Sequence, residues 1–103
     1  MDKTAALKEI LQLDPANAFA RYGLAMEYVG RGEMETALGE FATCIEQNPE
    51  YVPAYQMSAQ TLVKLGRKEE ALERLHAGIG AANRTGNQHA LAEMEGLREE
   101  IRG

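Results

Sequence analysis

Apolar residues recur along this chain at helical spacing, and the pattern is written nearly twice at an offset of about 34 residues. In the stretch 4–13, Leu7, Ile10, Leu11 and Leu13 gather on one side with Lys8, Glu9 and Gln12 largely opposite, which predicts a helix. Asp14-Pro15 stops it, because a proline discourages helical geometry at the residue before it. A second helix is expected from about Asn17, a good N-cap, to Val29, with a tight turn at Gly30 and Gly32. A third, from about Met34 to Gln47, turns Ala37, Leu38, Phe41, Cys44 and Ile45 inward. Asn48-Pro49 closes that unit and the pattern restarts. A helix from about Val52 to Lys64 carries Pro53 in its first turn, and its partner runs from Lys68 to about Ala82. The segment Asn83 to Asn87 reads as a loop by composition. The last helix, from about Gln88 to Ile101, has the stripe Ala90, Met94, Leu97 and Ile101, with Glu93, Glu95, Glu99 and Glu100 facing away.

The repeat can be followed residue by residue. Asp14-Pro15 returns as Asn48-Pro49, Gly30-Arg31-Gly32-Glu33 as Lys64-Leu65-Gly66-Arg67, and Glu35-Thr36-Ala37-Leu38 as Glu69-Glu70-Ala71-Leu72. A period of this size marks a stacked architecture in which each helix-turn-helix unit buries its apolar face against its neighbours. Such stacks rarely perform chemistry and characteristically present a surface.

These residues resemble the tetratricopeptide repeat. Its signature positions are held by Arg21, Leu24, Ala25, Tyr28, Ala37, Phe41 and Pro49 in the first unit, and by Tyr55, Ser58, Ala59, Leu62, Ala71, Leu75 and Asn83 in the second. Ala25 with Ala37, and Ala59 with Ala71, are expected to let paired helices approach closely, while Tyr28, Phe41, Leu62 and Leu75 fill the space between turns. Arg21 departs from the family's tryptophan and Asn83 from its closing proline. The resemblance implies an all-α fold, a right-handed α-α superhelix of about six antiparallel helices. Residues 1–15 would form an N-terminal half-repeat, 16–49 and 50–83 two repeats, and 84–103 a capping helix, in one domain spanning 1–103 and expected to be complete.

In this family the first helix of each unit lines a concave groove that receives a partner peptide or helix. Carried over by position, the groove residues are Phe19, Tyr22, Met26 and Val29, then Pro53, Gln56, Gln60 and Val63. One branch of the family grips a terminal carboxylate with Lys, Asn and Arg at such positions. Here Tyr22, Met26, Gln56 and Gln60 stand there, so no cation meets the anion. The helix Ala18 to Gly30 carries only Arg21 and Glu27 as charges, with apolar side chains spread around its circumference. Beyond the residues that the fold would bury, Phe19, Tyr22, Met26 and Val29 are expected either to form an apolar patch for a partner or to pack against the helix 52–64 or stand singly exposed.

Composition narrows the partner. The chain has a net charge of -5, with nine acids and four bases in the first fifty residues and seven of each afterwards, which disfavours nucleic acid. No apolar run approaches membrane-spanning length and no signal-peptide pattern opens the chain, so no membrane partner and a cytoplasmic location are expected. Cys44 is the single cysteine and is placed as a small apolar filler.

Other candidate chemistry is thin. His76 and His89 lie thirteen residues apart without a partner set, so no metal site is expected. Gly78-Ile79-Gly80 lacks the strand and third glycine of a phosphate loop and reads as a loosened helix end. Adjacent carboxylates at Glu69-Glu70 and Glu99-Glu100 diverge by roughly 100° on a helix. Ser58 has no predicted His or Asp partner. No catalytic residue and no cofactor are therefore expected. The reading is a non-catalytic protein-protein interaction module that binds an apolar or amphipathic segment in the concave groove. The alternative is a self-associating structural unit, a homodimer through the groove or through the N-terminal helix, where Leu7, Leu11 and Leu13 exceed what one neighbour must cover.

Overall fold

In the computed structural model, which describes residues 2–103, six α-helices succeed one another, with no strand among the described residues. They are α1 (Lys3–Leu13), α2 (Ala18–Gly30), α3 (Met34–Gln47), α4 (Val52–Lys64), α5 (Lys68–Thr85) and α6 (Gln88–Arg102). Each packs on the next, and α2 also touches α4, as α4 touches α6. The leading helices of successive hairpins are thus neighbours along one side of a stack 43 Å long.

Local chemistry explains the boundaries. The side chains of Asp2, Asn17 and Asn87 each accept a backbone N–H three residues on, satisfying donors that a helix start leaves free. Gly32 and Gly66, at φ of 79° and 75°, end α2 and α4 in the left-handed conformation that suits glycine. In both turns the next residue's N–H reaches back across the cap, Glu33 to Tyr28 O at 2.9 Å and Arg67 to Leu62 O at 2.9 Å. The Asx-Pro turns are pinned in matching ways. Arg21 Nη2 donates to Pro15 O at 3.1 Å, and Tyr55 Oη, at the same place in the next repeat, donates to Pro49 O at 2.7 Å. Arg21, where the family favours tryptophan, also pairs with Glu40 of α3 at 3.0 Å, so a half-buried ion pair does the work of an aromatic contact.

One expected boundary is corrected. Asn83, Arg84 and Thr85 belong to α5 and not to a loop. At the corresponding place α3 meets Asn48-Pro49 and must stop, whereas α5 meets no proline and continues to Gly86, whose φ of 71° allows the same glycine closure. Thr85 Oγ1 donates to Ala81 O at 2.9 Å, and Arg84 on the added turn reaches Glu50 at 2.9 Å. Arg67, just before α5, bridges Glu70 and Glu35, tying α5 to α3. Its hydrogen bond holds the Glu70 carboxyl below the usual carboxylate range.

Three clusters of described residues make the core. Leu11, Ala20 and Leu24 join α1 to α2, with Leu7 and Tyr28 partly buried against them. Ala25, Ala37, Phe41, Cys44 and Ala54 join α2, α3 and α4. Val52, Tyr55, Ala59, Leu75, Ala81, Ala82, Ala90 and Met94 join α4, α5 and α6. Ala25, Ala37, Ala59 and Ala71 have no exposed surface, as expected of small residues at helix crossings. The α6 stripe is buried at Ala90 and Met94 and half-buried at Leu97 and Ile101.

Gly78 corrects a second expectation. It does not loosen a helix end but lies buried within α5, where an added Cβ would stand 2.6 Å from Tyr55 Cβ and 2.7 Å from Met94 Sδ. Cys44 occupies the same place one repeat earlier, buried, with Sγ 3.6 Å from Ala18 O. Met94 takes up the volume in the second unit, which leaves room there for glycine alone. Gly78→Ala is therefore expected to lower the melting temperature measured by circular dichroism. An overpacking cost of about 1–3 kcal/mol, at its upper end for contacts this short, outweighs a helix-propensity gain of about 1 kcal/mol. Burial pushes the Cys44 thiol up, and Arg21 only partly opposes this. Iodoacetamide at neutral pH should accordingly leave the native chain unmodified and alkylate Cys44 only after denaturation, as read by intact mass.

Candidate functional site

The face along α2, α4 and α6 is built from residues that the core does not need. On α2, Phe19, Tyr22, Met26 and Val29 are spaced three, four and three apart and share one side of the helix, away from Leu24 and Ala25. They are not equally free. Phe19 is 76% exposed, whereas Tyr22, Met26 and Val29 are half-buried against the cluster around Phe41. The Tyr22 ring sits 6.0 Å from that of Phe41 and 5.6 Å from that of Tyr51, both tilted. Burial, with a smaller contribution from Cys44, raises the Tyr22 phenol above its ordinary value. Tyr22 therefore forms part of the wall, and Phe19 stands out from it.

On α4, Pro53 is exposed and Gln56, Gln60 and Val63 are half-buried. Gln56 and Gln60 line a hollow of about 380 Å³ whose opposite wall is Glu93, Gly96, Leu97 and Glu100 of α6. Gln56 Nε2 donates to Glu93 Oε1 at 3.0 Å. Glu93 and Glu100 lie off the apolar stripe and exposed, as expected, but they also stand beside α4, which the sequence does not indicate. Because α6 packs on α4 as well as α5, a second side of the helix turns toward α4 and carries both carboxylates with it.

Glu93, Gly96 and Glu100 are not among the residues that the sequence assigns to the site. Their sequence signal is an unexplained glycine inside a helix, flanked at three and four residues by acids on its own side. A Cβ at Gly96 would meet nothing within 4 Å, so packing does not require glycine there.

A further hollow of about 320 Å³ lies between α3, α4 and α5, lined by Leu38, Ser58, Leu62, Arg67, Glu70, Glu73, Arg74 and Ala77. Ser58 stands there where the first unit has Leu24, which itself lines a hollow of about 380 Å³ against α1. Ser58 Oγ is buried without a hydrogen-bond partner, and Glu70 is engaged by Arg67. His89 is exposed, 3.3 Å from Glu93, and His76 is exposed on α5. No group of three or more His, Cys, Asp or Glu side chains among the described residues converges to hold a metal ion. No helix among them is long and apolar enough to cross a membrane.

The comparisons with known proteins agree with this architecture. The tetratricopeptide repeat family profile matches residues 28–94. A TPR repeat-containing protein of Pseudomonas aeruginosa is 27% identical over 88 residues, which are 85% of this chain and 84% of that protein. The solution structure of a tetratricopeptide repeat domain protein from Salinibacter ruber superposes with a TM-score of 0.80 at 30% identity, covering 85% of this chain and 89% of that one. The TPR2B domain of yeast Sti1, solved as a complex with pHsp70, superposes with a TM-score of 0.89 at 21% identity, covering 96% and 79%, a likeness of fold. With two successive hairpins in matching register, each closed by the same glycine turn, the chain belongs to the tetratricopeptide repeat family.

Proposed function

We propose that this chain is an interaction module that receives a peptide or helix of a partner protein along α2, α4 and α6, acting by binding and not by turnover. The observation that carries the reading is Phe19, a large apolar side chain 76% exposed on the leading helix of the first repeat, with Met26 on the same side. Covering two such side chains contributes roughly 1.5–3 kcal/mol each, short of the roughly 8 kcal/mol of a micromolar complex, so the rest of the face must contribute as well. The Sti1 domain of the same fold, solved in complex with pHsp70, supports reading the fold as a peptide receiver. None of Phe19, Tyr22, Met26, Val29, Pro53, Gln56, Gln60 and Val63 is cationic, which argues against a carboxylate as the recognised group.

The informative variant is Phe19→Glu, because Tyr22 is packed against Phe41 and Tyr51 and its replacement would disturb the fold. Twelve-residue peptides selected from a random displayed library on the wild-type chain should lose about tenfold or more in affinity for Phe19→Glu by fluorescence anisotropy, the loss of one buried aromatic anchor. The melting curve should be unchanged. Equal affinity for both chains would remove this face from consideration.

A second reading, self-association through the N-terminal helix, is favoured by Leu13 and Ile10 of α1, 90% and 43% exposed. Light scattering at micromolar concentration tests it with Leu13→Glu, since Leu7 is partly buried against the α1–α2 core. A dimer converted to monomer by that change supports the reading, and a wild-type monomer excludes it.

A further inference from the structure

The face along the leading helices is not uniform. Its α2 end presents Phe19 and Met26, and its α6 end presents Glu93 and Glu100 across from Gln56 and Gln60. No lysine, arginine or histidine lines the hollow between α4 and α6. Glu93 accepts from Gln56 and lies 3.3 Å from the exposed His89, and Glu100 has no ion-pair partner among the described residues. The acids elsewhere on α6 are matched differently, Glu95 and Glu99 by Arg98, and Glu99 also by Arg102. Within α6, the carboxylates left without a lysine or arginine partner are the two that line the hollow beside α4.

Gly96 adds an independent observation. It sits on the wall between Glu93 and Glu100, in the interior of α6, where glycine weakens a helix relative to alanine. Nothing in the fold occupies the place of its Cβ. With no side chain at 96, the wall of the open hollow has depth there for an incoming group.

Resting on the interaction-module reading, we infer that the bound segment is amphipathic in a directed sense, with an apolar side chain against Phe19 and Met26 and a lysine or arginine lodged beside Gly96 between Glu93 and Glu100. The amide oxygens of Gln56 and Gln60 can accept hydrogen bonds that the two carboxylates do not take up. Packed helices lie about 8–10 Å apart, so the two steps from α2 through α4 to α6 span roughly 16–20 Å. An extended chain advancing about 3.3 Å per residue covers that in five or six residues. The partner sequence therefore carries an aromatic or aliphatic residue and a basic residue separated by about that interval.

The peptides selected from the random library are the probe, measured against wild type, Phe19→Glu, the double variant Glu93→Gln with Glu100→Gln, Gly96→Ala and Gly39→Ala. Gly39 is also an exposed helix-interior glycine with open space at its Cβ, but it is absent from this hollow and serves as the control. Expected are peptides with Lys or Arg five or six positions from an apolar anchor. The double variant should bind them about three- to tenfold more weakly, as for two partly exposed ion pairs, and with a flatter salt dependence. Gly96→Ala and Gly39→Ala should both raise the melting temperature, and only the former should weaken binding. Peptides that depend on Phe19 yet carry no basic residue, or bind the double variant or Gly96→Ala as tightly as wild type, overturn this inference and leave the interaction-module reading standing. Peptides indifferent to Phe19→Glu and to the double variant alike overturn both.

Discussion

Everything in this fold hangs on how closely its helices can approach at a few points. Ala25, Ala37, Ala59 and Ala71 have no exposed surface, and at Gly78 even a methyl group would collide with Tyr55 and Met94. Small side chains at the crossings bring the helix axes together, and the larger ones on either side, Phe41, Leu75 and Met94, then fill the space at interior density. The same close packing within each hairpin sets where the leading helices α2, α4 and α6 lie beside one another, and so shapes the face between them.

The two repeats solve the same packing problem with different atoms. Arg21 and Tyr55 both tether an Asx-Pro turn through its proline carbonyl, one with a guanidinium and one with a phenol. Cys44 and Gly78 both supply the small residue of the trailing helix, and the smaller of the two goes where Met94 intrudes. At Ser58, where the first unit has Leu24, a buried hydroxyl is left without a partner. Repeat architecture tolerates such exchange because each unit answers only to its neighbours.

Charge is distributed with the same locality. Arg67 links α3 to α5, Arg84 reaches back to Glu50, and Arg98 and Arg102 attend the acids on the outer side of α6. These exposed pairs add little stability individually. Their consequence is that several carboxylates of the second half are balanced within the chain, so an unbalanced pair facing α4 changes what that surface will attract.

The linear order of residues by itself determined the six helices, the Asn17 cap and the two glycine turns, because the signals are local: an N-capping Asn17, a glycine at 32 and 66, a proline at 15 and 49, and apolar stripes of helical period. It also marked Phe19, Tyr22, Met26 and Val29 as one side of α2, since helical spacing alone defines a face. How much of that side remains uncovered was decided only in three dimensions, where Tyr51 and Phe41 close on Tyr22 and nothing closes on Phe19. The end of α5 ran past its expected stop because the absence of a proline matters more than a polar composition. The α6 wall was hidden for a different reason. That Glu93 and Glu100 line a hollow beside α4 depends on how α6 lies on α4 and α5, which residues far apart in the sequence decide together, among them Gly78 and Met94 where α5 meets α6.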